Sequence, residues 1–180
     1  MSHGVLIPNA VQATNIDALN RSVVCTTTDI DNGSVFSLTG VSATVGQGEV
    51  WVAATPATAS LTNLWMAYEP EVVVTVSGSS KYKGIDPDVR NFYNIAGDVF
   101  TAFKLEVGDI VTISIDGVAG TKSTNTYVVA TNNTAKLTWA AAAVSGVSLK
   151  LLETTYISIA DGSIGTQRTT AYRFVVEALA

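Results

Sequence analysis

Charge is what this chain has least of. Only 14% of its 180 residues are Asp, Glu, Lys or Arg, where an ordinary soluble domain carries roughly 25%. Thr, Ser, Ala and Val stand where Lys and Glu usually do. So sparse a surface repels itself weakly. It suits either a stable β-protein in a Thr/Ser coat or a subunit that spends its life in an assembly. The net charge is −5, and Lys and Arg never cluster; Lys81 and Lys83 come nearest, with Asp86 and Asp88 soon after them. A phosphate backbone needs a basic patch, so nucleic acid is not an expected partner.

Cysteine, histidine and long apolar runs are equally scarce. Cys25 stands alone, which rules out an intrachain disulfide. Its setting in RSVVCTTTDI reads as a strand that buries the thiol as a small hydrophobe. His3 is the single histidine. A structural zinc needs four His or Cys ligands, and a catalytic triad needs its base held rigidly, which a residue in a free terminal arm is not. No metal or cofactor is expected. The most apolar stretch, WAAAAVSGVSLKLL, is broken by Ser145, Gly146 and Lys150 and falls short of the ~20 residues that span a bilayer as a helix, so no membrane partner is expected. The opening MSHGVLIPNA lacks the basic start and apolar core of a secretory leader, so synthesis in the cytoplasm is expected.

What the chain does have is strands. SVFSLTG, EVWVAAT, EVVVTVSG, DIVTISIDG, TYVVAT, TYISIADG and AYRFVVEAL are short and rich in Val, Ile, Thr and aromatics, and several alternate apolar with polar residues. Turn chemistry separates them: Asp31-Asn32-Gly33, Gly46-Gln47-Gly48, Ser77-Gly78-Ser79, Asp116-Gly117, Asn132-Asn133 and Asp161-Gly162 all tolerate the positive φ of tight hairpins. Val107-Gly108-Asp109 reads as a turn into a strand. The pattern predicts a mainly β protein of sandwich-like or barrel-like subdomains. One or two short helices are expected. Asn15–Ser22 would be capped by Asn15. A second would be capped by Asp86, start at Pro87 and end at Gly97. WAAAAVSG would add a turn. Residues 1–22 form an expected N-terminal arm, 23–97 a β subdomain and 98–180 a second one. With no linker between them, the halves are expected to pack as one body.

In the arm, Pro8 prevents a helix and disfavours a central strand. Val5, Leu6 and Ile7 are therefore candidates for an extended segment laid on a neighbouring surface; the alternative is a strand tucked against the chain's own sheet.

The search for chemistry finds little. DIDNGSVFSLTG places Asp29 and Asp31 at the first two ligand positions of a calcium loop, but Gly33 stands at the third and Gly40 at the twelfth. Gly46 and Gly48 lead into a strand and not a helix, so no phosphate loop is present. Glu69 with Glu71, and Asp86 with Asp88, are the pairs a glycosidase reading would use, yet Pro70 divides the first. Trp51, Trp65 and Trp139 invite comparison with sugar-stacking modules, although strand Trp usually belongs to a core. In NLWMAYEPE, Trp65 and Met66 must face opposite ways, so one of them points outward or into another subdomain.

The crowded segment is KYKGIDPDVRNFYNIAGDVF. It gathers Asp86, Asp88, Arg90, Phe92 and Tyr93. Aromatics and Arg are what interfaces favour, and Arg90 is suited to a bidentate pair. The segment reads as a docking loop; the alternative is a local Arg90 pair with Asp86 or Asp88 and aromatics in the core.

The runs GVLIPNA, NIDALNRSVV, DNGSVFSL, GEVWVAATPAT, LWMAYEPE, KYKGIDPDVRNFYNIAGDVFTAFKLEVGDIVT and TTYISIADG, with the closing TQRTTAYRFVV, resemble head proteins of tailed bacteriophages, of the capsid decoration or cement type. The resemblance covers most of the chain and carries no catalytic motif. It implies a non-enzymatic virion protein bound to the phage major capsid protein on the capsid exterior, where it braces capsomers against internal pressure. Self-association into a homo-oligomer is compatible with it. A tail-tube or head-fibre subunit, and a carbohydrate-binding β-module, are the alternatives.

Overall fold

The computed structural model describes residues 2–44, 46–57, 61–77, 80–84, 86–160 and 165–179. The turns expected at Gly78-Ser79 and Asp161-Gly162 lie outside them. The protein is mainly β. One sheet has seven strands in the order β1 (Leu6–Ala10), β9 (Ile110–Ser114), β14 (Thr166–Ala178), β13 (Ser148–Ala160), β11 (Tyr127–Val129), β12 (Leu137–Ala140) and β10 (Val118–Ala119). A closed barrel runs β2 (Asn20–Val24), β4 (Val50–Ala54), β3 (Val35–Val41), β5 (Trp65–Ala67) and β8 (Val99–Lys104). A separate hairpin joins β6 (Val74–Ser77) to β7 (Ser80–Lys83).

Side-chain alternation decides how these layers meet. Val23, Phe36, Ala53, Trp65, Ala67, Phe100 and Ala102 fill the barrel interior together with Cys25. Their neighbours Val35, Met66 and Phe103 point out of the barrel, into a second core against Val111, Ile113, Val128, Leu137, Trp139, Leu149, Tyr172 and Phe174 of the sheet. β5 is thus buried on both faces, as are the Val35–Phe36 end of β3 and the Ala102–Phe103 end of β8. That is why Val35-Phe36, Trp65-Met66-Ala67 and Ala102-Phe103 read as unbroken apolar runs instead of alternating. The opposed facing of Trp65 and Met66 expected from NLWMAYEPE is what the shared core uses.

Three expectations are corrected. The N-terminal residues are not a free arm. Leu6, Ile7 and Pro8 pair with Ile113, Thr112 and Val111 of β9, with a register shift before Ala10. Val5 and Leu6 are buried, and only Ile7 is exposed, at 40%. Pro8 is accommodated because β1 is an edge strand, where a missing N–H costs no ladder bond. Gly4 crosses close against Gly117: a Cβ at Gly4 would lie 2.7 Å from the Gly117 Cα, so any other residue there would force backbone apart. The division after Gly97 also moves. β8 begins at Val99, pairs with β2 and β5 and closes the barrel, so the change from barrel to sheet falls after Lys104, and β1 belongs with the later strands. The short helices shrink to 3-10 turns at Asp17–Leu19 and Val89–Asn91. Asn20 already opens β2, and WAAAAVSG supplies the end of β12 followed by bends.

Asp109 fastens these parts. It is buried, accepts the Gln12 N–H at 2.9 Å on one carboxylate oxygen and the Glu106 N–H at 2.9 Å on the other. The turn carrying it needs Gly108 at φ +97°. Burial pushes the Asp109 carboxyl above its ordinary pKa, against the two backbone donors.

Deleting residues 2–10 strips β9 of a neighbour and removes the buried Val5 and Leu6. At ~1.5–3 kcal/mol for each large buried apolar side chain, the loss is expected to lower Tm by about 10 °C or more. Differential scanning calorimetry of the truncated chain checks this; an unchanged Tm would mean the strand adds nothing to the fold.

Candidate functional site

The segment that follows β7 turns at Gly84, which has φ +72°. Asp86 then accepts the Asp88 N–H at 2.9 Å and the Asn91 side-chain amide at 2.7 Å. Asp88, not Asp86, caps the 3-10 turn, accepting the Arg90 N–H at 3.0 Å. The Arg90 guanidinium closes on the same carboxylate through Nε at 2.9 Å and Nη2 at 2.7 Å. These hydrogen bonds and the Arg90 charge hold the Asp88 carboxyl below its ordinary pKa, outweighing its burial. Nη1 of Arg90 reaches Gln167 on β14 at 2.7 Å, and the Arg90 carbonyl accepts the His3 N–H at 2.8 Å. Asp86, Asp88 and Arg90 therefore make a local clasp that ties the N-terminus to the far end of the sheet. Val89 packs beside Val5, Ile157 and Ile159.

His3 is held there too. Its Nδ1 lies 2.6 Å from Asp31 Oδ1, and its ring sits 4.8 Å from that of Tyr93. Lys136 donates to Asp31 Oδ2 at 2.9 Å and to the Asp116 carbonyl at 2.7 Å. Burial pushes the Asp31 carboxyl up, but the Lys136 and His3 hydrogen bonds, the Lys136 charge and the Gly4 N–H together bring it below its ordinary value. The would-be calcium ligands are spent in the same way: Asp29 accepts the Ala96 N–H at 2.9 Å. Among the described residues no group of His, Cys, Asp or Glu is placed to hold a metal ion.

Beneath this clasp lies a polar knot without a sequence signature. Asn32 is fully buried; its amide donates to the Glu69 carbonyl at 2.8 Å, and its Oδ1 accepts the Glu69 N–H at 3.1 Å and the Asn94 amide at 3.2 Å. Asn94 also donates to the Ile30 carbonyl at 2.9 Å. Glu71 stands at its edge, and burial raises its carboxyl against hydrogen bonds from Asn32 and the Leu6 N–H.

Phe92 and Tyr93 leave the clasp in another direction. With Phe100 they line an open cleft of about 220 Å³ between the β6–β7 hairpin and the barrel. Phe92 and Phe100 are buried. Val72 and Val99 line the same cleft yet stay 44% and 45% exposed. Glu69, Asp98 and Lys83 supply its charged groups, and Glu69 also accepts the Thr101 N–H at 2.8 Å. Of the eight candidate interface residues, the structure thus brings Phe92 and Tyr93 to the cleft. Asp86, Asp88 and Arg90 go to the clasp, Val5 and Leu6 to the core, and Ile7 to an outer strand. Val72 and Val99 were missed; lone valines in strand-like runs carry no signal that they stand uncovered. Trp65 and Trp139 are buried, and the Arg21 guanidinium stands 6.0 Å over the ring of the partly exposed Trp51.

No protein-family model, no curated protein and no solved structure matches the chain.

Two outcomes follow from the clasp and the Asp31 cluster. Arg90→Ala takes a bidentate partner from a largely buried carboxylate and is expected to destabilise the isolated subunit by about 1–2 kcal/mol; urea unfolding reads this without any partner present. Lys136→Met removes the cation that lowers Asp31. A carboxylate whose folded pKa is depressed contributes stability above its unfolded pKa, near 3.8, and loses it as pH falls through the folded value. The cost of Lys136→Met is therefore expected at about 1 kcal/mol near neutral pH, because solvent screens the partly exposed lysine. It should shrink below pH ~4 as Asp31 protonates. Equal costs at pH 7 and pH 3 would remove Asp31 from the explanation.

Proposed function

We propose that the chain is a non-enzymatic structural subunit that docks on another protein through the Val72/Val99 cleft, and that this protein is a phage capsid shell, which the subunit decorates and braces from outside. The observation that carries the docking is the cleft itself. The Phe92 and Phe100 rings of its floor are buried, its valine rim is nearly half exposed, and Glu69 and Asp98 flank it with Lys83. Such a concavity accepts an apolar or aromatic side chain with a basic neighbour, the usual anchor of a small interface. The sequence resemblance to decoration proteins supplies the identity of the surface. The charge-poor exterior supports a life in an assembly. The polar clusters at Asp31, Asp88 and Asn32 fit the same role, since each spends its hydrogen bonds on holding distant segments together. A place in the tail tube or a head fibre shares this non-enzymatic character, and electron microscopy of labelled virions separates those positions.

Val99→Glu is the informative variant, because the side chain is already nearly half exposed and the fold is expected to survive the change. On undecorated shells of the capsid protein encoded with this chain, the wild-type subunit is expected to bind and Val99→Glu to bind roughly tenfold or more weakly, with unchanged circular dichroism. Wild-type subunit that fails to bind such shells overturns the capsid reading. Equal binding by both forms moves the contact away from the cleft.

A further inference from the structure

The longest strands of the protein, β13 and β14, are 13 residues each and pair with one another from end to end. The rest of the sheet covers only one end of them. Among the described residues, β11 pairs with β13 only at Ser148, Leu149 and Lys150, and the Leu151 N–H makes the last bond on that side, to the Thr126 carbonyl. β9 pairs with β14 only from Ala171 to Val175. Beyond these points the two strands continue as a two-stranded ribbon. One face of the ribbon is occupied, with Ile157 and Ile159 buried under Val5 and Val89. The opposite face carries Tyr156, 53% exposed, with the Arg168 guanidinium stacked 4.1 Å over its ring. The outer edge of β13, from Leu152 to Ala160, has no ladder neighbour among the described residues.

Free edges of this length are templates for another strand, and soluble proteins blunt them with Lys, Pro, bulges or inward-pointing charge. Here the protection stops early. The register shift at Leu151–Glu153 and the Glu153 charge, which lies 3.3 Å from Arg173, both sit at the covered end. From Thr154 to Ala160 the edge reads TTYISIA, without charge, proline or register shift.

The geometry points to a second copy of this chain as the occupant of that edge: β13 pairs antiparallel with β13 of another subunit about a two-fold axis near Tyr156, joining two ribbons into one four-stranded sheet. In that register Thr154 lies opposite Ser158 of the partner copy, Thr155 opposite Ile157, and Tyr156 opposite its own counterpart, all clear of the register shift at Leu151–Glu153. The paired stretch Thr154–Ser158 carries no charge, so no edge residue of β13 meets a like charge across the axis, as an isologous contact requires. Tyr156 with its stacked Arg168 stands at the centre, a pairing of residue types enriched where interfaces draw most of their energy. A foreign strand would need pockets or a charge pattern to be selected, and this uncharged Thr/Ser edge offers neither.

The test uses the full chain and two double variants at exposed positions. Thr154→Lys with Ser158→Lys sets like charges opposite each other twice across the axis. Thr154→Lys with Ser158→Glu places opposite charges at the same two contacts. At about 100 μM subunit, where mass action reveals moderate association, sedimentation equilibrium is expected to show a wild-type dimer. The double-lysine form should dissociate with a roughly tenfold or greater rise in Kd, and the lysine–glutamate form should remain dimeric. Circular dichroism confirms that each is folded. A monomeric wild type overturns the proposal, as does a double-lysine form that dimerises like the wild type. A lysine–glutamate form as weak as the double-lysine form overturns the antiparallel register. Because no capsid is present, failure here leaves the Val99→Glu comparison untouched.

Discussion

Three strands that contribute side chains to two cores at once set the terms for this molecule. β5, with the Val35–Phe36 end of β3 and the Ala102–Phe103 end of β8, buries one face inside the barrel and the other against the seven-stranded sheet. Taken alone, the barrel would expose Val35, Leu64, Met66, Phe103 and Leu105, a patch of apolar surface of the kind that single soluble domains rarely tolerate. The sheet would lose the same cover. The two layers are therefore halves of one core, and the chain passes between them without a linker because neither half has an independent surface to present.

Polar residues in the interior hold the segments that cross between those halves. Asn32 and Asn94 tie the turn after Ile30 to the strand leaving β5. Asp109 takes the backbone of Gln12 and Glu106. Asp31 collects His3, Gly4 and Lys136. Each acceptor serves donors far apart in sequence, so removing one would strand buried N–H groups at ~1–3 kcal/mol apiece. The scarcity of charge at the surface contrasts with this concentrated use inside.

The β character of the chain was legible from alternation and turn chemistry, and Gly33 and Gly108 adopt the positive φ their turns called for. Pro8 misled in one direction: it excludes a helix and a central strand, and the edge strand it permits is where it lies. Asp86 and Asp88 both precede a helical start, and local sequence alone ranks the one before Pro87 first; the choice of Asp88 depends on Arg90 closing over it from the same turn. Closure of the barrel by β8 was hidden because the glycine before it resembles a boundary. The Lys136–Asp31 pair had no pattern to betray it, since a single lysine in a Thr-rich loop looks solvated. Of the cleft, the aromatic floor was visible in sequence and the valine rim was not, because exposure depends on which neighbours the fold withholds.

The order in which strands find their partners bears on how the chain is made. β1 is synthesised first, yet it pairs with β9, whose Ile110–Ser114 segment emerges only after the whole barrel. β9 in turn pairs with β14, which lies later still in the sequence. A growing chain on the ribosome can close its barrel once β8 is out, while the face that β3, β5 and β8 owe to the sheet stays bare until the C-terminal hairpin arrives. Pairing so distant in sequence makes folding slow and leaves a sticky half-built species during elongation. Pairing of β14 (Thr166–Ala178) with β9 therefore joins segments more than fifty residues apart, and the bare face of the barrel is covered only when that pairing is made.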